Sequence, residues 1–91
     1  MIRSFRHKGL KRLWNEDDAK GIRADLLARV RRLLTALDAA QDLRQLGIPA
    51  WGLHRLHGKP VRFALSVSGP WRITFEWQGG DAFRVGLEQY H

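Results

Sequence analysis

The stretch FALSVSGPWRITFEWQGGDAFRVGL, residues 63–87, decides the fold. Its side chains alternate with a period of two. Phe63, Leu65 and Val67 alternate with Arg62, Ala64 and Ser66, and Trp71, Ile73, Phe75 and Trp77 with Arg72, Thr74 and Glu76. Phe83, Val85 and Leu87 continue the pattern. Successive side chains of a strand point to opposite faces, so each run reads as a half-buried strand. Ser68-Gly69-Pro70 and Gln78-Gly79-Gly80-Asp81 supply tight turns between them. Three strands joined this way form an antiparallel meander. The apolar set must face the core, which assigns Arg72, Thr74, Arg84 and Gly86 to the other face.

Upstream the period changes to that of a helix. From about residue 23 to residue 40, Leu26, Val30, Leu33 and Leu37 fall on one line, widened by Leu27 and Leu34. Arg29 and Arg32 fall on the opposite side with Asp25. A shorter helix is predicted over residues 7–15, with Leu10, Leu13 and Trp14 inward and Lys8, Lys11 and Arg12 outward. Residues 2–6 read as a first strand, and residues 42–52 as a connector containing Ile48-Pro49. The order β-α-α-β-β-β is an α+β fold, with two helices packed on one face of an antiparallel sheet. A chain of 91 residues has room for one domain, residues 1–91.

Charge narrows the partners. Sixteen Lys and Arg against nine Asp and Glu give +7 at pH 7, a surplus suited to a polyanion such as nucleic acid, the ribosome or an acidic protein. Arg3, Arg6, Lys8, Lys11 and Arg12 crowd the first twelve residues with no acid among them. Together with Arg29 and Arg32 they are the candidate RNA- and ribosome-binding residues. The absence of cysteine excludes disulfides, thiolate metal sites and a cysteine nucleophile. No run approaches the ~20 apolar residues of a membrane span, and no apolar run near the N-terminus resembles a secretory signal. A cytoplasmic protein without a membrane partner is expected.

Several residues carry proton-transfer or phosphate chemistry. The chain ends in Gln89-Tyr90-His91, His54 and His57 lie beside Gly58, and Arg72 sits between Trp71 and Ile73. Imidazoles, a phenol and a guanidinium are the parts needed to cleave RNA without a metal. Such a reaction requires a base for the 2′-OH, an acid for the 5′-O leaving group and positive charge at the non-bridging oxygens. Histidine titrates near ~6.5 and serves either proton-transfer role. Arginine offers a bidentate fork to phosphate, although Arg72 has an alternative in a cross-strand ion pair with Glu76 or Glu88. His54 and His57 have no carboxylate between them, and three residues along a strand separates their faces. Neither a metal site nor a cofactor is expected.

Ser4-Phe5-Arg6-His7-Lys8-Gly9-Leu10-Lys11, Leu53-His54 with Leu56 and Gly58, Trp71-Arg72-Ile73-Thr74-Phe75, Gly80-Asp81-Ala82 and terminal Tyr90-His91 share an order and spacing. On these stretches the chain resembles the HigB toxins of the RelE/ParE superfamily. The resemblance implies a RelE-like α+β fold and a ribosome-dependent endonuclease that cuts mRNA in the A site by metal-free transphosphorylation. It implies a HigA-like helix-turn-helix antitoxin, through which alone operator DNA would be contacted. By position it carries over His54, Arg72, Tyr90 and His91 as catalytic residues, and His57 joins them where relatives often have lysine. Gln89 stands where relatives have an aspartate, and glutamine cannot take a proton. The alternative is a non-nuclease binder on the same fold, either a ParE-like gyrase inhibitor or a weakened toxin acting only with its antitoxin.

Overall fold

A computed structural model describes residues 1–90 of the chain; His91, a candidate catalytic residue, lies outside the described residues. The meander forms where the alternation requires it. Strands β2 (Phe63–Ser68), β3 (Trp71–Gln78) and β4 (Asp81–Gln89) pair antiparallel. The two turns fall at Gly69-Pro70 and Gly79-Gly80, as their residues predict. A further short strand, β1 (His54–Arg55), adds to the outer edge of β2, giving the sheet order β1-β2-β3-β4. Two residues leave no periodic trace, which is why this strand was invisible in the sequence.

Residues 2–6 are not the full strand that was expected. Ile2 and Phe5 make single parallel bridges to Ala82 and Val85. The cause is a bulge in β4, where the β3–β4 register shifts between Thr74 and Glu76 and Arg84 adopts a positive φ of 50°. Ser4 braces the bulge: its Oγ accepts from the Arg84 N–H at 2.9 Å and its carbonyl from the Val85 N–H at 3.0 Å. The extra residue breaks the alternation. Ala82 and Val85 are fully buried, whereas Phe83, expected inward, is only half-buried.

Helix α1 (Lys8–Glu16) starts at His7, whose Nδ1 accepts from the Leu10 N–H at 3.1 Å and so satisfies one of the unpaired donors of the first turn. Its buried side carries Leu10 and Leu13. Helix α2 (Leu27–Ala39) follows a 3₁₀ turn over Ala24–Leu26. Leu26, Val30, Leu33, Leu34 and Leu37 are buried against Leu65, Ile73, Phe75, Val85 and Leu87 of the sheet in one core. At about 25 cal/mol per Å² of apolar surface removed from water, this helix–sheet layer is the main source of stability.

One helical residue departs from its expected side. Arg29 does not face outward with Arg32. It is half-buried, and its Nη2 donates to the carbonyls of Ala50 (2.8 Å) and Ser66 (3.4 Å). It ties α2 to the 3₁₀ turn Pro49–Trp51 and to β2.

Candidate active site

Side chains opposite one another in an antiparallel ladder share a face. Register therefore places His54, Ala64, Thr74 and Gly86 in one row across the sheet, and Ser66, Arg72 and Glu88 in the next. The helices cover the reverse side. Arg72 is the second residue of β3, beside the β2–β3 turn.

The centre of this face is covered by a polar network. Thr74, on the face away from the helices, is fully buried. Arg62 lies over it, with Nη1 bonded to Glu76 (3.0 Å) and Nη2 to the Thr74 hydroxyl oxygen (2.9 Å) and the Arg84 carbonyl (3.1 Å). Thr74 in turn donates from Oγ1 to Glu88 Oε1 at 3.0 Å. Glu88 also accepts from Arg6 at 3.3 Å and, on its other oxygen, from the Tyr90 hydroxyl at 3.0 Å. Within this network the buried Thr74 hydroxyl is bonded to Arg62 and Glu88, and such partners are the condition for burying a polar group.

Beside the network lies a cleft of about 500 Å³, between the loop after β1 and the end of β4. His57, Lys59, Arg62, Arg6, Glu88 and Tyr90 supply its polar wall, and Leu56 and Pro60 its apolar one. The Arg6–Glu88 pair separates it from a smaller hollow of about 210 Å³ that reaches His7. Burial, followed by the Glu88 carboxylate, raises the Tyr90 phenol above its ordinary pKa. The phenol is therefore protonated at neutral pH and acts there as a hydrogen-bonding group.

The cleft brings together His57 and Tyr90 of the sequence-derived set, with Arg6 from the basic group. His54 and Arg72 share the face without lining the cleft. His54 is exposed, its Nδ1 3.0 Å from the Gly52 carbonyl. A carbonyl only accepts, so Nδ1 carries the hydrogen and Nε2 is the ring's basic nitrogen in the neutral form. Arg72 donates from Nη1 to the carbonyls of Gly69 (2.6 Å) and Trp71 (2.9 Å). Neither of the ion pairs considered for it, with Glu76 or Glu88, is among its bonds.

Lys59, Arg62 and Glu88 line the cleft and were not in the sequence-derived set. Glu88 was legible: it stands two residues before Tyr90, which directly follows β4, and that spacing points both to the same face. Lys59 had no such signal, because a loop has no period. Among the basic candidates, Lys8, Lys11, Arg12 and Arg32 are exposed on the helices. Arg3 is bonded to Asp81 at 3.0 Å, and that guanidinium holds the carboxyl below its usual range.

Two helices on one face of an antiparallel sheet, with a cationic cleft on the other, make an α+β protein of RelE-like layout. The family described as "RelE-like toxin of type II toxin-antitoxin system HigB" matches residues 3–91, and the chain belongs to it. It is 37% identical over 92 residues to "Endoribonuclease HigB" of Proteus vulgaris, with all of both chains covered. Membership of a type II toxin family brings with it an antitoxin as partner. Among the described residues no helix is long and apolar enough to cross a membrane.

Proposed function

We propose that this chain is the toxin of a type II toxin–antitoxin pair and acts as an endoribonuclease that cuts mRNA on the ribosome. The observation that carries the reading is the convergence of His57, Tyr90, Arg6 and Lys59 on one cleft, with Arg72 and His54 on the same face. The full-length likeness to an endoribonuclease supports it.

In this mechanism the 2′-OH of the nucleotide before the cut attacks the adjacent phosphorus. The P–O5′ bond breaks, leaving a 2′,3′-cyclic phosphate and a free 5′-OH. The attack puts negative charge on the non-bridging oxygens, where Arg72 and Lys59 stabilise it. His54 and His91 share proton transfer, since an imidazole can both take and give a proton. His57 donates to a phosphate oxygen, and Tyr90 positions the nucleotide by stacking or hydrogen bonding. Lys8, Lys11, Arg12 and Arg32 dock on ribosomal RNA through phosphate contacts. A HigA-like antitoxin with a helix-turn-helix neutralises the toxin, and operator DNA is contacted through that antitoxin.

The test is product analysis. RNA cut during translation should carry a 2′,3′-cyclic phosphate, and a single 2′-deoxynucleotide before the cut should abolish cleavage there. Cleavage that survives the deoxy substitution contradicts the mechanism.

A further inference from the structure

Glu88 accepts three hydrogen bonds on the catalytic face, and the chemistry above gives it no part. Three donors from three segments meet on its carboxylate: Arg6 and Thr74 on Oε1, at 3.3 and 3.0 Å, and the Tyr90 hydroxyl on Oε2, at 3.0 Å. Arg6 comes from the segment before α1, Thr74 from β3, and Tyr90 from the residue after β4. The Tyr90 N–H is also fixed, donating to the Pro70 carbonyl at 2.8 Å. Backbone and phenol are thus each held by one bond, although the tyrosine is close to the chain end, where unsupported residues fray.

We propose that Glu88 is a positioning residue, whose carboxylate takes the phenolic hydrogen of Tyr90 and sets the phenol oxygen in the cleft as a hydrogen-bond acceptor. This rests on the nuclease reading and extends it to a residue outside the reacting groups. The direction of the hydrogen is fixed by chemistry: an ionised carboxylate only accepts, so the hydroxyl must donate to it. The lone pairs of the phenol oxygen then remain for a donor entering the cleft. In an RNA strand such a donor is a ribose hydroxyl or a base N–H, whereas a phosphate oxygen accepts and is left to Arg6, His57 and Lys59. Thr74 and Arg62 lock the carboxylate from below, since Arg62 donates to the same Thr74 oxygen that donates to Glu88. A group held in this way by neighbours loses little freedom on binding substrate, which is where positioning contributes to rate.

Tyr90 is the only tyrosine in the chain, so it can be observed directly. Ultraviolet titration of phenolate formation in the intact protein reports this one residue. The charged and titratable groups facing it are Glu88, Arg6, Arg62, His57 and Lys59. In Glu88→Gln, which keeps the size and an acceptor for Thr74 but removes the charge, the phenol midpoint should fall while the Arg6 and Arg62 guanidiniums stay. In the same variant kcat should drop about ten- to a hundredfold with KM nearly constant, as misplacement of a positioned group does. Glu88→Ala should lower the midpoint as well and depress kcat at least as far. A folded Glu88→Gln protein with an unmoved phenol midpoint overturns the proposal, because a purely structural Glu88 leaves Tyr90 unaffected. An unchanged kcat alongside a shifted midpoint overturns the catalytic role. A wild-type protein that cuts no RNA but shows the shift instead defeats the nuclease reading, and leaves the Tyr90–Glu88 pairing as structure without a reaction.

Discussion

Arg72 and Glu88 stand opposite each other across the β3–β4 ladder, and each is bonded elsewhere. Arg72 turns to the carbonyls of Gly69 and Trp71, and Glu88 to Arg6, Thr74 and Tyr90. An ion pair between them would neutralise an arginine placed to meet a phosphate. Instead the carboxylate is occupied by other donors, and the guanidinium is held at a single nitrogen, Nη1.

That arrangement separates activity from stability at Arg72. Arg72→Ala should slow cleavage by about 10²–10³, the usual cost of removing one oxyanion donor. It should change the unfolding free energy by no more than about 1–2 kcal/mol, the worth of hydrogen bonds to turn carbonyls. Single-turnover cleavage and urea denaturation measure the two effects on the same preparation.

Arg62 should behave in the opposite way. Its side chain is only 12% exposed, and it joins Glu76, Thr74 and the Arg84 carbonyl. Arg62→Ala leaves Glu76 and buried Thr74 with broken partnerships, and should destabilise by about 2–4 kcal/mol in urea denaturation. Arg62→Lys should recover little of this, since one ammonium cannot span three acceptors in a fixed fork.

The Lys59 side of the cleft can be examined through salt. If Lys59 contacts one phosphate, Lys59→Gln should reduce the slope of log K against log salt by about 0.7 for a single-stranded RNA, with affinity lowered at low salt. Fluorescence anisotropy on a short labelled RNA reads both. An unaltered slope would remove Lys59 from the phosphate contacts.

His7 links pH to folding. Burial lowers its pKa from the ordinary 6.5, and its Nδ1 accepts the Leu10 N–H, which a doubly protonated ring cannot do. The folded state therefore binds this proton less readily than the unfolded state. Its stabilising contribution is complete above pH 6.5 and is lost as pH falls through the lowered folded value. His7→Asn keeps an N-cap acceptor and removes the titration, so melting temperatures between pH 7 and 5 should fall less steeply than in the wild type.

The approach of the Gly9 and Gly21 backbones gives a purely steric test. A Cβ on Gly9 would lie 2.6 Å from the Gly21 carbonyl oxygen, and one on Gly21 would lie 2.7 Å from the Gly9 Cα. Both obstacles are backbone. Gly9→Ala should cost about 1–3 kcal/mol by thermal denaturation despite the better helix propensity of alanine.

Much of this fold was legible because two periods dominate the chain. The turns at Gly69-Pro70 and Gly79-Gly80 bound β3 where their residues predict, and the leucine line of α2 is the buried one. The β4 bulge was not legible. Phe83-Arg84-Val85 reads as ordinary alternation, and the bulge that breaks it is braced by Ser4, some eighty positions away in sequence. Long-range pairing overrides a local pattern without altering it. At the site, Glu88 followed from its spacing to Tyr90, whereas Lys59 and the capture of Arg29 by carbonyls depend on loop paths that no period encodes.

The central claim is tested most directly by primer extension on a reporter mRNA in a reconstituted translation system, comparing the wild-type protein with Arg72→Ala and with a chain lacking His91. The account predicts cuts that appear only with translating ribosomes and vanish in both variants. Intact mRNA in the presence of folded wild-type protein would contradict it.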